Sequence, residues 1–358
     1  MSEPIKTIAE YIERIEGIVK DEKQEYSLVM FRGESKEYPT SCQPNIFRKD
    51  YYQKDKFFEK NLFDEMRANH LTDGQSYLEN AIDAQHGGFP SRLLDVSYNC
   101  LVALYFAITP FYKEKETIHD TEDGVVYVFF LDELYCPTGK NIKEAYGACV
   151  ERDKAWFTGQ DLFQKNHKLI DHIKKNQRII AQQGAFILFQ GDRVSSFPSY
   201  RYQKIYIDKN RKPELRRDLH TYFGIHTGAI YPEEFNLVDE IVSKSAHMSP
   251  MEFNLEDEMK LIFANIRRLV QYFIDSLRQS DPMKFQNVVQ QAEVELLDYH
   301  DRLAAFLDNP PSADVDKSKH RNEFNSIVEG FAVAAEKIMG RHPEEAVKIC
   351  RRELLLKE

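Results

Sequence analysis

From the N-terminus, Ile5, Ile8, Ile12, Ile15 and Val19 recur at spacings of three and four, which predicts an amphipathic helix over residues 4–20 whose apolar stripe needs a core. Residues 26–31, Tyr-Ser-Leu-Val-Met-Phe, read as a strand that stops at Gly33. Helical spacing returns over 57–69 and over 76–85, just before the Gly87-Gly88 break. Residues 92–97 predict a short strand, and the apolar run 101–107, framed by Asn99 and Pro110, predicts a buried helix. The clearest strand is 124–131, an unbroken apolar run that calls for burial on both faces. Residues 179–189 and 204–207 predict two more strands, and 190–202 between them reads as a loop bordering a cleft.

Beyond residue 241 the apolar periods lengthen. Leu255, Met259, Ile262, Ile266, Val270, Phe273 and Leu277 form one helical stripe, and Phe324, Ile327, Val328, Phe331, Ala335 and Ile338 form another. Three or four antiparallel helices satisfy this pattern, with 309–316 as a polar connector and His342-Pro343 as the start of a last helix. Their stripes are expected to pack on the preceding domain rather than to leave a groove for a protein partner. The predicted class is α+β: an N-terminal helix in residues 1–24, a mixed sheet-containing domain over 25–241, and an all-helical domain over 242–358.

A chain of 358 residues is long enough for two ordinary domains, and no stretch approaches the roughly 18 apolar residues of a membrane helix. Lys and Arg number 48 against 58 Asp and Glu, and the net charge of -10 repels polyphosphate backbones and anionic bilayers. Neither nucleic acid nor a membrane is therefore an expected partner. The opening Met-Ser-Glu-Pro-Ile-Lys lacks the basic-then-apolar run of a secretory signal, so a cytoplasmic location is expected. Cys42, Cys100, Cys136, Cys149 and Cys350 include no Cys-x-x-Cys pair, and they read as reduced, mostly buried thiols. His167 and His172, five apart, do not stack on one helix face, and no metal site is expected.

Two blocks carry candidate chemistry. In Phe31-Arg32-Gly33-Glu34-Ser35 a strand end presents a guanidinium beside a glycine. The planar fork of Arg32 can grip phosphate or carboxylate bidentately, and Gly33 lets a ligand approach the backbone. A structural salt bridge is the plain alternative. In Ala84-Gln85-His86-Gly87-Gly88-Phe89-Pro90-Ser91-Arg92-Leu93-Leu94-Asp95-Val96-Ser97 the turn bends His86 toward Arg92 and Asp95. Those last two side chains could equally pair with one another to close the turn.

These blocks, together with 101–107, resemble the FRG domain, named for the tripeptide Phe31-Arg32-Gly33. The resemblance extends to Gln177-Arg178, Gln182-Gln183-Gly184 and the stretch from Leu219 to Pro232, and so covers about 25–241. Where the family usually has Gly-Leu-Pro-Thr-Arg and Asp-Trp-Thr, this chain has Phe89, Ser91, Val96 and Ser97. Both hydroxyls are kept and the indole is lost. The order of the motifs is similar to that of ADP-ribosyltransferases, which implies NAD as a candidate substrate. By that resemblance Arg32 binds the pyrophosphate, Ser97 supports the ribose, and Gln182 or Gln183 stands where a glutamate is expected. An amide carries no charge for a developing cation and cannot act as a base.

The expectation is one cleft, lined by Arg32, His86, Ser97 and Gln183 as catalytic candidates and by Gly33, Gln85, Arg92, Asp95 and Gln182 as ligand-binding ones. It takes a small anionic, nucleotide-like ligand and requires Arg32 and Ser97 to face one side of the sheet. ADP-ribosyl transfer or NAD cleavage is one reading. A non-catalytic sensor or protein-interaction module is the other. FRG-like chains resemble accessory proteins of bacteria and phages, which implies a defence setting.

Overall fold

The apolar runs of the N-terminal part assemble into one seven-stranded sheet in the order β4-β5-β6-β2-β1-β3-β7. The computed structural model describes residues 3–22, 28–49, 51–72, 74–158, 162–173, 177–191, 197–312 and 315–357, and the side chains of Gln53, His86, Thr158, Gln164 and Asp239 lie outside that description. The strands are β1 (Leu28–Glu34), β2 (Leu93–Ser97), β3 (Gly124–Leu131), β4 (Leu134–Tyr135), β5 (Lys168–Ile170), β6 (Gly184–Leu188) and β7 (Tyr202–Ile207). All pairings are antiparallel except β4 with β5, so the sheet is mixed.

The chain forms two compact units, Met1–His247 and Met248–Glu358. The first holds the sheet and helices α1 (Ile8–Glu22), α2 (Tyr51–Lys54), α3 (Phe58–Ala68), α4 (Tyr77–His86), α5 (Cys100–Ile108) and α6 (Lys140–Glu151). It continues with α7 (Ala155–Thr158), α8 (Gln177–Gln182), α9 (Lys212–Phe223), α10 (Thr227–Ile230) and α11 (Glu234–Ala246). This is the α+β arrangement that the apolar pattern predicts. Every residue of β3 is buried, as its unbroken apolar run requires.

Helix α5 starts where the Asn99 side chain accepts from the amides of Leu101 and Val102. It then crosses β1 and β3 at very short range. A Cβ on Gly33 would lie 1.8 Å from the Ala103 carbonyl oxygen, and one on Gly124 would lie 2.0 Å from that of Ala107. Two alanines four apart thus rest on two glycines of neighbouring strands. Gly33 does not end β1, which runs on through Glu34. Its missing side chain makes room for the helix.

Two other expectations change. The predicted strand 179–189 is a helical turn, α8, followed by β6, because Gln183 takes a left-handed backbone (φ 45°) that breaks the run in two. Of the cysteines, Cys42 and Cys149 are buried, while Cys136 and Cys350 are exposed.

The second unit contains three long helices, α12 (Leu255–Gln279), α13 (Phe285–Asp308) and α14 (Lys317–Met339), and a short α15 (Arg351–Leu354). Their stripes close on one another, with Phe263, Phe285, Phe324 and Phe331 in the unit's own core. The last helix starts at 351 rather than at His342 because the intervening chain reaches across the bundle, burying Ile349 on the way. Asn325 then holds the Leu356 backbone from both sides, at 3.0 and 2.9 Å. Among the described residues no helix is long and apolar enough to cross a membrane.

Candidate functional site

A single registered pair, Phe31 with Ser97, joins β1 to β2, whereas β1 and β3 stay in register along all of β1. The sheet is therefore two half-sheets with a seam. Backbone groups past the pair must find partners other than a ladder. Arg32 supplies one, donating from Nη1 to the Asp95 carbonyl at 2.8 Å. Past the Phe31–Ser97 pair, a guanidinium rather than a peptide bridges the seam.

A cavity of about 470 Å³ opens there, within the range of small-molecule sites. Arg32, Arg48 and Arg178 line it, against the carboxylates of Glu34 and Asp95. This lining carries a positive excess in a chain whose net charge is -10. Tyr38, Phe106, Phe111 and Tyr231 add aromatic faces. The Arg178 guanidinium lies 4.4 Å from the centre of the Tyr231 ring, a cation–π contact. Burial pushes the Tyr231 phenol up to about 12, with Arg178 pulling the other way.

Arg32 and Glu34 share one face of β1 by alternation, and Arg32 Nε donates to Glu34 Oε1 at 3.0 Å. The same oxygen accepts the Cys42 amide at 3.1 Å. The other oxygen, Oε2, is buried and has no hydrogen-bond partner among the described residues, and the side chain is only 4 % exposed. A buried carboxylate oxygen left in this state is costly, and it belongs to a residue of the cavity lining. Burial works against the Arg32 charge, yet Glu34, Cys42 and Asp95 outweigh it and lift the pKa.

Residues 27–116 match the FRG domain family. The chain carries an FRG domain. No curated protein and no solved structure matches it. The FRG match contains Arg32, Glu34, Arg48, Gln85, Asp95 and Ser97, while Arg178, Gln182 and Tyr231 reach the same cavity from beyond it.

The seam of the FRG domain brings together Arg32, Gly33, Gln85, Asp95, Ser97 and Gln182. They do not converge as expected. The Phe31–Ser97 pair shares one face, so alternation sends Arg32 to the face opposite Ser97. The requirement of a common sheet face fails, and it is the seam, open to both faces, that lets both residues line one cavity. Several of these groups are already engaged. Ser97 Oγ donates to the Gln182 carbonyl at 2.8 Å and accepts the Asn99 amide at 3.0 Å. Gln85 donates to Asp95 Oδ2 at 2.8 Å and accepts from Ser91 Oγ at 2.6 Å, so it orients the carboxylate. Gln182 donates to the Ile230 carbonyl at 3.3 Å.

Two expected residues, Gln183 and Arg92, are not brought there. Gln183 is outside the lining, and its carbonyl accepts the Tyr98 amide at 3.0 Å while its backbone makes the α8–β6 turn. The His86 side chain lies outside the described residues. Arg92 is fully buried elsewhere and pairs with Glu59, not with Asp95. Its Nε donates to Glu59 Oε2 at 2.7 Å, and Nη1 donates to the carbonyls of Phe189 and Gly191 at 3.3 and 2.9 Å. Its Nη2 reaches the Tyr52 hydroxyl, and the Tyr146 hydroxyl donates to Glu59 Oε1 at 2.6 Å. The described part of the 190–202 loop contributes Pro198, Tyr200 and Arg201 to a different hollow.

Sequence reasoning missed Glu34, Arg48 and Arg178 as site residues. A signal existed for Glu34, which stands two residues from Arg32 on a strand and so shares its face. None existed for Arg48, which a loop carries to the seam.

Proposed function

We propose that the seam cavity of the FRG domain binds a dinucleotide of the NAD class and cleaves its nicotinamide N-glycosidic bond, by hydrolysis or by ADP-ribosyl transfer. The carrying observation is that Arg32, Arg48 and Arg178 line one cavity with Glu34, whose buried Oε2 has no hydrogen bond among the described residues. In this reading Arg32 and Arg48 hold the pyrophosphate through charge-assisted bonds. Phe106, Phe111 and Tyr231 offer faces for the bases.

The chemistry balances without a further cofactor. The bond from the nicotinamide nitrogen to C1′ breaks, and the electron pair leaves with the ring, which departs neutral because its nitrogen was cationic. Water or an acceptor nucleophile bonds to C1′ and loses a proton to solvent. Glu34 takes the part for which the sequence offers only Gln182 or Gln183: it accepts a ribose hydroxyl and stabilises the oxocarbenium-like centre by its charge.

The test is nicotinamide release from NAD by the purified chain. Wild type is expected to release it. Glu34→Gln is expected to keep NAD binding and to lose about 100-fold or more in rate. No release by wild type, or equal release by both, overturns the catalytic reading.

One observation favours a second reading, ligand sensing without turnover. Ser97, Gln85 and Gln182 already spend hydrogen bonds on the cavity walls. Calorimetry separates the two, since saturable binding of NAD or ADP-ribose with no nicotinamide release supports the sensor.

A further inference from the structure

Away from the cavity, the first unit brings two imidazoles and a carboxylate together that no role described so far uses. His220 sits in the last turn of α9, which Gly224 closes with a left-handed cap (φ 64°), and the turn delivers His226 to the start of α10. Helix α11 comes close because residue 228 is glycine: a Cβ there would lie 2.9 Å from the Asn236 carbonyl oxygen. That approach sets Glu240 Oε2 2.7 Å from His226 Nε2. The His220 and His226 ring centres are 4.6 Å apart, and one potential ligand atom from each of the three residues lies within 4.8 Å of the others.

A simple ion pair accounts for part of this. Glu240 Oε1 meets Lys244 Nζ at 2.5 Å, and its other oxygen meets His226. It does not account for His220, which is exposed yet held with its ring against that of His226. We infer that His220, His226 and Glu240 form a site for one divalent cation of the zinc class, two nitrogens and one oxygen, with a remaining position for water. Imidazole donors favour zinc and its transition-metal neighbours over magnesium or calcium, and three protein ligands plus water complete a tetrahedron. Lys244, 71 % exposed, can swing away from Oε1 without disturbing the fold. The bound ion ties α9, α10 and α11 together.

The experiment is calorimetric titration of the chelator-stripped full chain with zinc chloride, alongside its melting temperature. The expected result is one zinc per chain and a melting temperature that rises with zinc concentration. His220→Ala and Glu240→Gln should each weaken binding by more than the about 10- to 100-fold that loss of an outer-shell partner costs. His220 is exposed, so its variant should melt like wild type without metal, which separates ligand loss from misfolding. No saturable binding, or wild-type binding by both variants, overturns the inference. Neither result depends on what the seam cavity binds.

Discussion

Two arginine–glutamate pairs in the same unit differ in how completely they are satisfied. Arg92 and Glu59 are closed: carbonyls, two tyrosine hydroxyls and each other occupy their polar atoms, and the rings of Phe47, Tyr52 and Tyr146 surround the guanidinium. Arg32 and Glu34 are open: the arginine bridges the seam with one bond, and one oxygen of the cavity-lining glutamate is buried without a partner among the described residues. A saturated buried pair specifies the fold. The unsaturated one is the pair on which the proposed ligand site rests.

The largest test of this contrast is Arg92→Ala, which leaves Glu59 buried and unpaired. It should cost about 3–5 kcal/mol in urea denaturation. A loss below about 1 kcal/mol would mean that the closed network is not structural. Arg32→Ala should spare more of the fold, because the cavity can lend Glu34 a water, but should weaken NAD or ADP-ribose binding by about 2 kcal/mol or more. Calorimetry reads this directly, and unchanged affinity would remove Arg32 from the ligand's contacts.

Next comes Gly33→Ala, whose new methyl meets the α5 backbone rather than the ligand. A destabilisation of about 1–3 kcal/mol is expected, and a stable variant with impaired ligand binding alone would restore the ligand-approach role of this glycine. The last effect is spread over a pH range and concerns Lys212, which holds the wall beside Glu34 by donating to the Ser35 and His119 carbonyls at 2.6 and 2.8 Å. Burial presses its pKa from 10.5 to about 8, against the pull of Asp120. Between those values the unfolded chain holds the extra proton, so this lysine makes stability rise with pH, by up to about 1.4 kcal/mol per unit. Below pH 8 its contribution is constant. Lys212→Met should flatten the slope between pH 8 and 10, and an unchanged slope would assign it to other groups.

Much of the fold is legible in the chain because local patterns cause it. The run 124–131 became β3 at those limits, and the stripe from Leu255 became α12. Failures came where one residue overrides the pattern, as Gln183 does by splitting 179–189, or where chain is spent on reach, as after His342. At the site, Arg32 was visible as a cation at a strand end, but the state of its ion pair was not. Both glutamate partners were in plain view, Glu34 two residues away and Glu59 far from Arg92, and nothing local says which pair will be closed.

The sequence by itself determined the FRG motif, the α+β and helical division and the faces of the main elements, since these follow from periods of two and 3.6 and from residue type. Only the tertiary structure decided that β1 and β2 meet at one pair, and hence that residues from opposite sheet faces line one cavity. It likewise decided that Arg92 is walled in while Arg32 is not. The physical reason is that hydrogen-bond saturation is a property of the whole surroundings of a group, and strands distant in sequence build those surroundings.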